Sequence, residues 1–198
     1  MDLFATRNLF WMKFLFHFLF LLLPVVGLSQ EDDWDWWNDL HQWKPGMPGW
    51  RNMMLLSPGY LGPNSLPVPE MKQGLLSGKP ELETTLSAHF HSGDPTQDFS
   101  AKIYYPVAGG KMAFEAYGVL LEKYGYTEAI RNERISRDKD GKGVVPGDFY
   151  FATLIQLVRN RKFPDTMFRL ACKTASGDAF AARYTDTPGY FFDFTSSK

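Results

Sequence analysis

The stretch that decides the fold is Glu81–His91, which reads ELETTLSAHFH. Its odd-numbered positions carry charged and polar side chains, while its even-numbered positions carry apolar side chains and one threonine. The even-numbered set is Leu82, Thr84, Leu86, Ala88 and Phe90. Successive side chains of a β-strand point to opposite faces, so this alternation predicts a strand with one apolar and one polar face.

The same period of two recurs along most of the following chain. It predicts six further strands, at residues 98–107, 112–124, 148–157, 168–173, 180–184 and 190–195. Turn-forming clusters such as SGDPTQ and TASGD separate several of these runs, and a polar segment at residues 126–147 interrupts them. Successive strands with short connections predict an all-β fold, an antiparallel meander.

Composition and charge limit the classes of protein that fit. The chain has 198 residues, 44% hydrophobic and 16% aromatic, which fits one ordinary domain and excludes a disordered chain. Lys plus Arg is 21 and Asp plus Glu is 22, and this net charge of −1 argues against a nucleic-acid binder. The single cysteine, Cys172, excludes an internal disulfide framework.

The N-terminus has the pattern of a secretory signal peptide. Lys13 precedes a mostly apolar run at residues 14–28, and small residues at the end of this run fit cleavage before Gln30. The run is shorter than the roughly 20 apolar residues that a membrane-spanning helix needs. We therefore expect residues 1–29 to be removed on export. An uncleaved anchor is the alternative, and Met12 is an alternative start.

Residues 30–79 form a lead-in segment of different composition. It contains EDDWDWWNDLHQW and then many prolines and glycines, which prevent a long helix or a central strand. Three interpretations stay open: packing against the following domain, insertion at a membrane interface, and sugar binding by Trp34, Trp36 and Trp37. The antiparallel β domain is expected at residues 80–198.

Two environments give every strand an apolar face. In a soluble β-sandwich that face is the core, and in an outer-membrane barrel it contacts lipid while the polar face lines a lumen. Predicted strands of about ten residues match the 9–11 residues of a tilted membrane strand better than the five or six typical of soluble strands. Short and long turns alternate, and aromatic residues lie near strand ends. These features favour the outer-membrane barrel, with a soluble secreted β-sandwich that binds carbohydrate or a cell-envelope partner as the alternative.

Three short motifs in the β domain carry a resemblance. They are Gly147-Asp148, Lys173-Thr174-x-Ser176-Gly177 and Arg183-x-x-Asp186-x-Pro188-Gly189-Tyr190. Together they resemble poorly characterised, porin-like outer-membrane barrels of Gram-negative bacteria. The motif GPNxLPVP at 62–69 is similar to the lead-in of secreted proteins without assigned function. The resemblance covers residues 57–195 and implies a place in the cell envelope and no enzyme activity.

The number of predicted strands departs from this group. Outer-membrane barrels have at least eight strands, usually an even number, whereas the sequence predicts seven and ends in Thr195-Ser196-Ser197-Lys198. We expect a partial, truncated barrel. Completion by a second protomer and a barrel outside the membrane are the alternatives.

The polar strand faces supply the candidate ligand- or lumen-lining residues. They are Glu83, His89, His91, Lys102, Glu115, Arg169, Lys173, Arg183 and Asp193. A three-residue loop at Ala175-Ser176-Gly177 would place Arg169 opposite Arg183, and these like charges require a nearby acid or a bound anion. We expect passage or binding of a small polar or anionic solute. The expected partners are outer-membrane lipid and this solute. Association with further copies of the chain stays open, and no nucleic acid is expected as a partner.

Metal-binding and catalytic motifs are weak. The His89-x-His91 pair lacks a third ligand at a fixed spacing. The stretch starting at Ser136 resembles a calcium loop but places Gly147 where a glutamate is required. No GxSxG, HExxH or P-loop occurs. We therefore expect no enzyme activity, cofactor or metal, and a location in the outer membrane, with periplasm or extracellular medium as the alternative.

Overall fold

A computed structural model describes residues 34–56, 69–159, 162–185 and 187–198. The predicted signal peptide and most of the motif at 62–69 lie outside the described residues. The part of the chain from Asp35 onward forms one compact unit. In the described ranges, no helix is long and apolar enough to cross a bilayer.

The unit is built on one antiparallel sheet. Its elements are α1 (Asp35–His41), β1 (Glu81–His91), β2 (Asp94–Val107), β3 (Met112–Gly125), α2 (Glu128–Glu133), β4 (Lys142–Val145), β5 (Phe149–Val158), β6 (Asp165–Lys173) and β7 (Gly189–Ser197). The strand order is β1-β2-β3-β5-β6-β7, with β4 beside β3. The predicted all-β antiparallel meander is confirmed. The sheet is not closed, because β1 and β7 are not paired with each other in the described structure.

One predicted strand is wrong and one strand was missed. Residues 180–184 form turns and bends, and Ala182 has a φ of 50°, which a strand does not accommodate. The neighbour of β6 is instead β7, so Arg169 lies opposite Asp193 and not opposite Arg183. The missed strand is β4, which lies within the polar segment at 126–147.

A β-bulge in β3 changes which side chains point to which face. Phe99 of β2 pairs with Leu121, but the next residue of β2 pairs with Val119, so Leu120 is the extra residue. The bulge puts Glu122 on the same face as Glu115, although seven positions separate them. Both glutamates are buried as a result.

The two faces of the sheet differ sharply in exposure. One face, here called the covered face, carries a small apolar core that lies beside buried charged residues. That core is Leu76, Tyr104, Ala113, Ala152, Leu154, Met167 and Ala171. The other, here called the apolar face, exposes large hydrophobic side chains. Leu86 is 82% exposed, Phe90 is 91% exposed and Phe192 is 69% exposed.

Residues 69–79, here called the strap, cross part of the covered face. The side chain of Gln156 accepts a hydrogen bond from the Leu76 amide at 2.7 Å and donates one to the Gly74 carbonyl, also at 2.7 Å. A side chain at Gly74 would not fit, because its Cβ would lie 2.0 Å from the backbone oxygen of Asp165. Tyr104 holds the end of the strap by donating to the Ser77 carbonyl at 2.8 Å.

We expect Gln156→Leu to loosen the strap, because the substitution leaves buried backbone groups of Gly74 and Leu76 without partners. Each such group costs about 1–3 kcal/mol. The measurement is the rate of trypsin cleavage after Lys72, which should rise when the strap detaches more often.

Gln97→Leu is the matched control, because this glutamine is exposed on the apolar face of β2. Its cleavage rate should equal that of the unmodified chain. Equal rates for all three proteins would show that Gln156 does not hold the strap.

Candidate functional site

A row of polar side chains crosses the covered face. The strand register aligns Glu83 with Lys102, Lys102 with Tyr117, Tyr117 with Tyr150, and Tyr150 with Lys173. Three of the residues predicted to line a lumen therefore lie in one row across five strands. The row joins two clusters of ion pairs. One contains Glu83 and Lys102 and includes residues of the strap, and the other contains Lys173 at the β6 end of the row.

The strap cluster consists of Glu70, Lys72, Glu83, Lys102 and Glu115. Lys72 Nζ lies 2.7 Å from Glu115 Oε1 and 2.8 Å from Glu70 Oε2. Lys102 Nζ lies 2.5 Å from Glu83 Oε2 and 3.5 Å from Glu70 Oε1. The strap thus supplies both a cation and an anion to the covered face.

The pKa of Glu70 is lower than usual for a glutamate. Burial alone would raise this pKa, but the hydrogen bonds and positive charges of Lys72 and Lys102 outweigh burial. Glu70 therefore stays ionised and bridges the two lysines.

Arg169 ties β6 to β7 and to the strap. Its Nε donates to Asp193 Oδ2 at 2.7 Å, and its Nη2 donates to the backbone oxygen of Glu70 at 2.9 Å. The guanidinium also lies over the ring of Phe191, 5.2 Å from the centroid. The predicted like-charge contact with Arg183 does not form, because β7 and not residues 180–184 lies beside β6, and Asp193 supplies the charge opposite Arg169.

The motif residues of the sequence resemblance converge in a second group, the Lys173 cluster. Lys173 Nζ, whose side chain is fully buried, lies 2.7 Å from Asp148 Oδ2 and also bonds Thr185. The other carboxylate oxygen of Asp148 accepts from the Gly177 amide at 3.0 Å. Ser176 Oγ donates to the Gly147 carbonyl at 3.1 Å. A lysine at a strand end thus binds the loops on both sides of it.

Gly177 is required in this cluster for space. A Cβ at this position would lie 2.2 Å from the Cβ of Tyr184, so any larger residue displaces the tyrosine. Burial raises the pKa of the Tyr184 hydroxyl, and the negative charge of Glu122 raises it further. Tyr184 therefore stays protonated and packs between the Lys173 cluster and the cluster described next.

The Arg183 cluster contains two arginines and two acids, all buried. Arg183 Nη1 lies 2.7 Å from Asp94 Oδ1, and its Nη2 bonds Glu122. The second oxygen of Asp94 bonds Arg134. Burial alone would lower the pKa of Arg183, but the charges of and hydrogen bonds to Glu122 and Asp94 raise it.

Helix α2 places Arg134 in this cluster. Thr127 caps the helix by accepting from the Ile130 amide, and Arg134 is the first residue after its last turn. The backbone amide of Thr127 also donates to the Gly93 carbonyl at 2.8 Å, which fixes the helix beside the β1–β2 turn. Asp94 lies directly after that turn.

The predicted histidines are not part of these clusters. His89 and His91 are exposed on the edge strand β1, and His89 Nε2 lies 2.8 Å from Asp98 Oδ2. In the part of the chain that the structure describes, no three His, Cys, Asp or Glu side chains are placed to hold a metal.

The calcium-like stretch makes internal contacts. Asp138 Oδ2 accepts from the hydroxyl of Tyr124 at 2.7 Å, and its Oδ1 accepts from the Asp140 amide at 3.1 Å. The carboxylate of Asp138 thus fixes the loop.

The tryptophan segment forms a helix that packs on the domain. Trp37 in α1 is 0% exposed, and Arg137 lies between the rings of Trp37 and Trp50 at 4.5 and 4.6 Å from their centroids. Trp36 is covered by Arg131 at 4.8 Å. Because Trp37 is buried, its ring is not available to stack on a sugar, whereas Trp34 and Trp36 are half-buried, and sugar binding by this segment stays a prediction.

Sequence reasoning missed several members of the strap cluster and the Arg183 cluster. These are Glu70, Lys72, Glu122 and Arg134. Strict alternation assigns Glu122 to the apolar face, and only the bulge at Leu120 reverses this. The strap residues gave no strand or motif signal, because they lie in the irregular lead-in.

A cavity of about 280 Å³ lies on the covered face beside the strap. Its polar lining consists of Glu70, Glu83, Thr85, Ser100, Lys102, Tyr117 and Tyr150. The cavity therefore occupies the middle of the polar row, between β1 and β5.

No family model, curated protein or solved structure matches the chain. The resemblance to porin-like barrels stays a prediction from the quoted motifs.

We expect Arg183→Met to lower the free energy of unfolding by about 3–5 kcal/mol, because it leaves buried acids short of a counter-charge. The measurement is a urea titration followed by tryptophan fluorescence. Adding Glu122→Gln should recover part of the loss, since the neutral amide does not need a cation.

Lys123→Met is the control, because Lys123 is exposed and adjacent to Glu122. Surface substitutions of this kind usually change stability by no more than about 0.5 kcal/mol. If Arg183→Met and Lys123→Met unfold at the same urea concentration, the Arg183 cluster does not stabilise the fold.

Proposed function

We propose that this chain forms the lipid-facing sheet of an outer-membrane β-barrel protein, which binds or passes small polar solutes on its covered face. The observation that carries the proposal is the polarity of the two faces. Large hydrophobic side chains are exposed, whereas ion-paired charges such as Arg169 and Lys173 are buried. A soluble protein hides its apolar face, and a membrane barrel directs it outward.

The apolar face is free of charge across its middle. On β2 its members run from Phe99 through Ile103 to Val107, and the register places Leu121, Phe151 and Leu170 on the same face. At about 3.3 Å per residue, the stretch 99–107 extends about 26 Å. The stretch has nine residues, which lies within the 9–11 residues that a tilted strand needs to cross a bilayer, and this supports the proposal.

The edges of the sheet add a requirement. Lipid offers no hydrogen-bond partner to a strand edge, so β1 and β7 must pair with strands beyond those described here. Further strands or a second protomer meet this requirement.

A soluble secreted sandwich has less support. It needs a second sheet over the apolar face, and the described strands all belong to one sheet whose apolar face stays exposed.

Location and gel mobility test the proposal directly. The full chain, produced in a Gram-negative cell, should fractionate with the outer membrane. It should migrate differently on a gel before and after boiling, because a closed barrel resists detergent. A soluble protein without a mobility shift would exclude the barrel.

Paired substitutions on β1 test which face contacts lipid. Leu86→Arg places a charge in the middle of the apolar face, so we expect a loss of about 2–4 kcal/mol and less heat-modifiable protein in the membrane. Thr85→Arg is the matched control, since its side chain lies on the opposite face of the same strand. The amount inserted should change little.

These substitutions also distinguish an apolar face in contact with lipid from one in contact with water. Leu86 is already 82% exposed, so in water its replacement by arginine should leave the stability nearly unchanged. Equal stability and equal insertion of Leu86→Arg and Thr85→Arg would contradict a lipid-facing sheet.

A further inference from the structure

The cavity on the covered face has the groups of a small-molecule site. Its volume of about 280 Å³ lies near the lower limit for such sites, and it fits one small ring compound rather than a chain of them. Glu83 and Lys102 form one wall, 2.5 Å apart, and Glu70 of the strap forms another.

Two tyrosines complete the lining. The rings of Tyr117 and Tyr150 stack with their centroids 4.7 Å apart and 4° between their planes. Neither hydroxyl has a hydrogen-bond partner among the described residues, although both rings are partly buried. Both tyrosines line the cavity, so a bound solute would replace water as the hydrogen-bond partner of their hydroxyls.

The lining offers acceptors and donors together. The carboxylates of Glu70 and Glu83 accept hydrogen bonds, the ammonium of Lys102 donates them, and the hydroxyls of Tyr117 and Tyr150 do both. A ligand that satisfies such a set carries several hydroxyl groups, each of which donates and accepts.

The charge of the cavity disfavours an anion. The strap cluster beside it holds three carboxylates and two ammonium groups, a net charge of −1, and both ammonium groups already pair with these carboxylates. A ligand carboxylate or phosphate would lie close to Glu70 and Glu83 and would be repelled. The lining thus selects against the anionic solute that the arginines of the sequence predicted.

We propose that this cavity binds a neutral polyhydroxylated solute of the size of a monosaccharide. The inference rests on the proposed function in one respect, which is that the covered face lines the water-filled interior of the barrel. It adds the class of solute and the residues that bind it.

The test compares D-glucose with D-glucuronate, which differ by one carboxylate. The full chain is kept in an amine-oxide detergent, because detergents with sugar headgroups would compete, and binding is measured by saturation-transfer difference NMR. We expect glucose to bind with a Kd of about 1 mM and glucuronate to bind at least about tenfold more weakly.

Tyr117→Leu should weaken glucose binding at least about tenfold. Tyr105→Leu, which removes a tyrosine from the apolar face, should leave it unchanged. Glu83→Gln removes one repelling charge and should narrow the difference between glucose and glucuronate. This variant keeps the test decisive if Tyr117→Leu does not fold.

Tighter binding of glucuronate than of glucose would overturn the inference, as would no binding of either sugar at about 10 mM. Glucose binding that Tyr117→Leu leaves unchanged would also overturn it, as would a glucose–glucuronate difference that Glu83→Gln leaves unchanged. Failure here and failure of the proposed function are distinguishable. Membrane insertion without sugar binding contradicts only this inference, whereas sugar binding by a chain that never enters the membrane contradicts only the barrel.

Discussion

The neutralisation of buried charge is the constraint on which the rest of the structure depends. Isolated ions on a covered surface would cost several kcal/mol each, so every cation on this face needs an acid within hydrogen-bond distance. Lys173 has Asp148, Arg169 has Asp193, and Arg183 has two acids. These pairs explain loops as well as strands, because Asp148 and Arg183 lie in segments between strands. They also explain why the strap lies where it does, since Lys72 of the strap is the counter-ion of Glu115.

The strands themselves could be predicted from sequence, because alternation depends only on the pleat of the backbone. The failures arise where a local feature breaks or imitates that period. Residues 180–184 alternate as a strand does, but Ala182 adopts a left-handed conformation that alternation does not reveal. The extra residue Leu120 displaces the alternation by one position, so strict alternation assigns Glu122 to the wrong face. A period of two identifies strands well and identifies their partners poorly.

The candidate site was predicted only in part, for a related reason. The polar faces of β1, β2 and β6 gave Glu83, Lys102 and Lys173, which the register does place in one row. The tyrosines of that row were not chosen, because a tyrosine on a polar face gives no charge signal. The strap was not recognised either, since its contacts with Gln156 are made by backbone atoms that every residue type possesses.

The position of the strap has a consequence for the order of assembly. It precedes β1 in the chain, yet the Gly74 amide donates to Ser197 Oγ in the last strand, and Gly74 lies against the start of β6. A growing chain therefore carries the strap for more than a hundred residues before its docking surface exists. Contacts of such long sequence separation slow folding and leave little scope for a stable half-formed state. Because the strap contacts β5, β6 and β7, we expect the sheet and the strap to form together as one cooperative unit.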